Sequence, residues 1–197
     1  MSQTVIRAAL TEAQTALQNL LANQETLSAL EKAGDTLVES FKNGGRVFSC
    51  GNGGSMCDAM HFAEEFTGRY RKNRRPLPAT AICEPGHITC VANDFGYDYI
   101  FSTYVEAHAR AGDVLLAIST SGKSPNVLKA AEMAKQKGVK VIAMTGKSDC
   151  PLAALSDVLL ATPGGSYADR VQELHIKMVH IMLELVERKL FPENYAA

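Results

Sequence analysis

A short apolar strand that breaks into a glycine- or hydroxyl-rich loop and restarts as a helix occurs twice in this chain, and that unit constrains the fold more than any other feature. Val47 to Cys50 runs into Gly51-Asn52-Gly53-Gly54-Ser55 and a helical stretch from about Ser55. Val114 to Ile118 runs into Ser119-Thr120-Ser121-Gly122-Lys123-Ser124, and Pro125 stands where a helix's first turn welcomes proline, with helix to about Lys137. Val139 to Met144 and Val158 to Leu160 read as two more strands, and Tyr167 to Leu190 as a long closing helix. Ahead of the first strand, Ile6, Leu10, Ala13, Leu17, Leu20 and Leu21, then Leu27, Leu30, Leu37, Val38 and Phe41, fall at helical spacing until Asn43-Gly44-Gly45 stops it. The pattern predicts an α/β fold: a three-layer, doubly wound parallel sheet with right-handed crossovers, preceded by two helices.

The bulk properties bound the rest. A chain of 197 residues with 46% hydrophobic residues can bury one substantial core, so a single domain over 1–197 is expected. With 20 basic and 21 acidic residues the net charge is -1, which pulls it towards neither nucleic acid nor a membrane surface. The N-terminal stretch lacks the basic and apolar regions of a signal peptide, and no segment is apolar enough to span a bilayer. Five cysteines without a C-x-x-C pair argue against a disulfide framework or a zinc ribbon, and fit a reducing cytoplasm.

In such sheets ligands sit in the loops beyond the carboxyl ends of the strands. The Ser119–Ser124 loop brings hydroxyls and a helix's free N–H groups to one spot, which suits an anion; helix capping is the plainer reading, but one residue suffices for that. Gly122-Lys123-Ser124 also matches the end of a nucleotide P-loop, yet Ala117 stands where its first glycine is needed. The glycines at 51, 53 and 54 permit positive φ and close approach to a ligand, and a tight turn would explain one or two of them. His61 and Glu65 share one helix face a turn apart, a spacing that suits a shared metal, a carboxylate orienting an imidazole, or an ordinary surface pair. His180, alone on the last helix, is a weak candidate by itself. The basic run Arg69, Arg71, Lys72, Arg74, Arg75 reads mainly as a solvated loop, and Asn93-Asp94 as part of a further loop or turn.

The segments SCGNGGSMCDAMHFAEEFTGRYR, VANDFGYDYIFSTYVEA, GDVLLAISTSGKSPNVLKA and YADRVQELHIKMVHIMLELVE, taken in order, resemble the sugar isomerase (SIS) domain family, and within it the phosphoheptose isomerases. The resemblance runs through essentially the whole chain and implies a flavodoxin-like SIS fold. It implies that residues 1–43 serve oligomer packing and that residues 44–197 form the α/β core of a homotetramer with shared active sites. The implied activity is conversion of sedoheptulose 7-phosphate to D-glycero-D-manno-heptose 7-phosphate, a first step towards ADP-heptose for lipopolysaccharide core or other heptose glycans. Carried onto this sequence, Asn52, Gly53, Gly54, Ser55, Arg69, Asn93, Asp94, Ser119, Thr120, Ser121, Ser124 and Asp169 hold the sugar phosphate, with Glu65 and Gln172 also at the substrate. Glu65 and His180 match the acid–base pair. His61, Glu65, Gln172 and His180 match the ligands of one zinc ion per subunit. Lys123 departs from the family loop, where a neutral residue is expected, and leaves every hydroxyl in place.

Two rival readings belong to other classes. A non-catalytic SIS factor that binds other proteins, of the kind associated with the replication initiator, would lack the full acid–base set, whereas Glu65, Gln172 and His180 are all present here. A sugar-phosphate-sensing regulator would carry a DNA-binding helical module ahead of the domain, and none is visible in this sequence.

Overall fold

The computed structural model describes residues 1–162, 164, 165 and 167–196. Two helices lead, α1 (Ser2–Ala22) and α2 (Gln24–Lys42), joined at Asn23, whose side chain accepts from the Thr26 N–H and caps the second. Strand β1 (Val47–Gly51) follows, then α3 (Gly54–Thr67), β2 (Ala79–Ala81), α4 (Pro85–Asp94) and α5 (Ser102–His108). The second half runs β3 (Val114–Ile118), α6 (Pro125–Gln136), β4 (Lys140–Thr145), α7 (Pro151–Leu155), β5 (Val158–Ala161) and α8 (Ala168–Leu190). The leading helices, the four longer strands and the helices α3, α6 and α8 stand where the periodicity places them, within a residue or two.

All strand pairings are parallel, in the order β2-β1-β3-β4-β5. Side chains alternate across the sheet as strand geometry requires. Val47, Leu116, Ile118, Ile142 and Met144 pack against α2, α3 and α8, while Phe48, Cys50, Leu115, Ala117 and Val141 pack against α4 to α7. The sheet is therefore buried on both faces, which explains why its strands read as continuous apolar runs. The chain order reverses direction at β1, which has β2 on one side and β3 on the other. The crevice between the carboxyl ends of β1 and β3 is thus the topological switch point of the sheet.

One expectation is corrected here. Asn93 and Asp94 form the last turn of α4, not a loop. Glu84 caps that helix by accepting from the Gly86 and His87 N–H groups at 2.9 and 2.6 Å, and Pro85 follows as its first residue. Among the described residues no helix is long and apolar enough to cross a membrane.

Candidate active site

Both unusual loops open onto the switch point. The glycine loop turns from β1 into α3 with Gly53 at φ +56°, and the hydroxyl loop turns from β3 into α6 with Gly122 at φ +64°. A side chain at either position would be strained, and at Gly122 a Cβ would also collide with Cys150 Sγ. Ser119 and Ser124 Oγ lie 3.0 Å apart across the second loop, and the Lys123 N–H donates to Ser121 Oγ at 3.2 Å. Ser124 is the N-cap residue of α6, but its hydroxyl faces Ser119 instead of capping the helix. The hydroxyls are thus grouped at a helix N-terminus, where an anion is favoured. Thr120 is half-buried in the same loop, Ser55 is buried in the first turn of α3, and Lys123 is exposed.

The two loops are also joined directly. Asn52 and Asn126 exchange a pair of amide hydrogen bonds, each 2.9 Å, and the Tyr97 hydroxyl donates to Asn52 Oδ1 at 3.1 Å. Neither Asn126 nor Tyr97 stands out in the sequence, because a lone amide or tyrosine outside a motif carries no periodic or spacing signal.

Helices α3 and α8 lie side by side and run the same way, so that Gln172 reaches Gly54 and His180 reaches His61. A Cβ on Gly54 would stand 2.6 Å from Gln172 Nε2, so a side chain there would push that amide aside. One step along, His61 Nε2 lies 3.0 Å from His180 Nε2 and 3.5 Å from Glu65 Oε1, and ligand atoms of these three residues all fall within 4.8 Å of one another. His61 Nδ1 faces Glu64 Oε1 at 3.1 Å. A proton held there leaves the Nε2 lone pair aimed at the cluster. The His180 pKa is lowered, first by burial and then by repulsion from His61. The Tyr70 ring stacks on His180 at 5.9 Å and 29°, and the Arg71 guanidinium lies 5.1 Å from the centroid of the same tyrosine ring. Asp58, one turn before His61, is buried; desolvation raises its pKa to about 6, with the His61 charge working against the shift.

The donor set fits a zinc ion. Two imidazole nitrogens and a carboxylate surround one point, and about 3.4 Å between donors is what tetrahedral bonds of about 2.1 Å require. Gln172 stands apart from this trio. It lies eight residues before His180 on one unbroken helix, about 12 Å along the axis.

The remaining expected site residues lie on the surface. Arg69 bonds Asn73, Asn93 bonds its neighbour Asp94, and Asp169 accepts from Arg170, each within a few residues of itself. The basic run behaves differently from a solvated loop at one position. The Arg74 side chain is 0% exposed, paired with the equally buried Glu187 at 2.8 Å. Its other nitrogens donate to the carbonyls of Glu65 at 2.6 Å and of Phe66 and Gly68 at 2.8 Å. Arg74 therefore adds donors to the carbonyl end of α3, where the Phe66 carbonyl also accepts from the Leu77 N–H, and ties it to α8.

Comparison with known proteins places the chain in a family. The family described as "SIS domain" matches residues 10–146. A phosphoheptose isomerase of Aeromonas hydrophila is 57% identical over 190 residues, covering 96% of this chain and 99% of that one. One from Vibrio cholerae is 55% identical, over 96% and 100% of the two chains. Among solved structures, a phosphoheptose isomerase from Neisseria gonorrhoeae superposes with a TM-score of 0.88 at 36% identity, covering 95% of this chain and 99% of that one.

Proposed function

We propose, from the premise that this chain belongs to the phosphoheptose isomerases of the SIS-domain family, an assignment of roles to the residues at the switch point. The chain is an aldose–ketose isomerase acting on sedoheptulose 7-phosphate. The convergence of His61, Glu65 and His180 within 4.8 Å, beside loops built for an anion, is the observation that carries the assignment.

Isomerising a 2-ketose requires a proton to leave carbon 1 and one to return to carbon 2, through an enediol. Glu65 is the base. Its carboxylate is about one-fifth exposed, so substrate binding completes its desolvation and strengthens it. One of its oxygens faces His61, and the other is available to the carbon-bound proton. His180, favoured neutral by burial and by His61, moves the proton between the two substrate oxygens, a role that requires its ring nitrogen to be released from any metal it holds during turnover. Ser119, Thr120, Ser121 and Ser124, with the backbone of Asn52, Gly53, Gly54 and Ser55, anchor the phosphate, and Arg69, Asn93, Asp94 and Asp169 hold the rest of the sugar chain.

His61, Glu65 and His180 would hold zinc, joined by a Gln172 amide. Bound there, zinc would polarise the substrate's carbonyl and hydroxyl oxygens as a Lewis acid. A Gln172 12 Å away along its own helix cannot join His180 on one ion, so the amide comes from another chain. That argues for a homo-oligomer, a tetramer by family resemblance, with 1–197 as one domain and residues 1–43 at its interface. The exposed Val5, Ile6, Leu10, Leu17 and Leu21 of α1, and separately the exposed Ile181 of α8, support this reading. Five free cysteines accord with a cytoplasmic location.

Incubating the purified protein with sedoheptulose 7-phosphate and following aldoheptose 7-phosphate tests the assignment. Accumulation of the aldose is expected, and a well-folded, zinc-loaded protein that produces none would refute it.

A further inference from the structure

We propose that Asn126 is a positioning residue that latches the glycine loop to the hydroxyl loop, so that the two present one rigid phosphate site. The proposal rests on reading those loops as the substrate's anchor. Asn126 is the second residue of α6 and is 1% exposed. A primary amide so deeply buried is stable only with its polar atoms paired.

The orientation of the amide is fixed locally. Asn126 Oδ1 accepts from the Val127 N–H at 2.9 Å, which turns Nδ2 towards the glycine loop. There Nδ2 donates to Asn52 Oδ1, while Asn52 Nδ2 donates back to Asn126 Oδ1, both at 2.9 Å. The Tyr97 hydroxyl adds a third bond to Asn52 Oδ1 at 3.1 Å. Flipping either amide would set oxygen against oxygen and nitrogen against nitrogen. The Asn52 side chain is thus engaged with protein partners, and its loop meets a ligand through its backbone. The bonded residues stand 74 positions apart, on opposite sides of the β1–β3 crevice. The pair therefore ties together two anion-binding segments beyond the point where the β1–β3 pairing, which ends at Gly51 and Ile118, holds them.

Without the latch each loop keeps its own donors, but the phosphate has to order the two loops on binding. Affinity falls for that reason, while the proton transfers at Glu65 are little touched. Stranding one buried amide is worth about five- to hundredfold in an equilibrium of this kind.

Steady-state kinetics with sedoheptulose 7-phosphate on wild type, Asn52→Ala, Asn126→Ala and the double variant test this. Each single change is expected to raise KM about tenfold with kcat held within about threefold, and the double variant is expected to be no worse than the worse single. Multiplying effects, or an unchanged KM in Asn126→Ala, would overturn the latch. If the alanine variants do not fold, the isosteric Asn126→Asp takes their place. Its ionised carboxylate sets an acceptor against Asn52 Oδ1, so its KM, relative to wild type, should be high at pH 8. The defect should shrink as the pH falls and the carboxyl regains a proton to donate. A defect independent of pH would count against the latch. Absent turnover by wild type would remove the functional reading and the latch with it, whereas normal wild-type turnover with an indifferent residue 126 would remove the latch alone.

Discussion

His175 shows how one residue can tie stability to pH without touching the chemistry. It is fully buried on α8, and neither ring nitrogen makes a hydrogen bond of good geometry. Burial lowers its pKa from 6.5 to about 4, with the nearby Thr145 backbone working weakly against the shift. Below pH 6.5 the unfolded chain takes up a proton that the folded chain refuses, so this residue's contribution to stability falls as the pH drops from about 6.5 to about 4. The loss is on the order of 3 kcal/mol across that window. Thermal melting of wild type at pH 7 and pH 5 should show a falling midpoint, and a folded His175→Gln protein should show a shallower fall. Equal slopes would mean that other groups carry the acid sensitivity. His61 and Glu65 are legible from spacing alone, because four residues on a helix bring side chains to one face. His180 is not, because its partner stands 119 positions away and only the packing of α3 on α8 brings them together.

At the scale of elements, the strands and helices with strong periodicity can be read from sequence, and the stretch from Pro76 to His108 cannot. Strand β2 is three residues long and pairs at the sheet edge, too short to show alternation. Helices α4 and α5 are ten and seven residues long, too short to display a clear apolar stripe. The same limit hides Arg74, which looks like one charge in a basic run until Glu187 is folded onto it. The buried pair ends α3 and fixes α3 to α8, and hence Glu65 to His180. Removing one partner strands a buried charge, so Arg74→Met should lower unfolding stability by about 3–5 kcal/mol. Replacing both, as Arg74→Met with Glu187→Leu, should recover much of that loss, because desolvation largely offsets the pair's attraction. Denaturant titration of the three proteins checks this, and a double variant less stable than Arg74→Met would contradict it.

For the whole molecule, the parallel order β2-β1-β3-β4-β5 places the glycine loop and the hydroxyl loop at one crevice, which strand–helix alternation makes legible before any coordinates. The proposed sharing of the site between chains is legible in the sequence only indirectly, since the mismatch appears when Gln172 and His180 are set on one helix. Glu65 and His180 lie together in one chain, so the variants to mix are Glu65→Gln and Gln172→Ala. Subunit exchange between these two poorly active proteins should restore part of the wild-type activity. No recovery in verified mixed oligomers would place Gln172 outside the shared site. Glu65, at the switch-point crevice, is the proposed base that abstracts the proton in turning the ketose into the aldose. Turnover of sedoheptulose 7-phosphate by wild type and by a folded Glu65→Gln protein, each assayed with zinc, tests it most directly. Conversion by wild type and a loss of at least about a hundredfold in kcat for the variant are expected; a Glu65→Gln enzyme that turns over at the wild-type rate would remove Glu65 from the role of base.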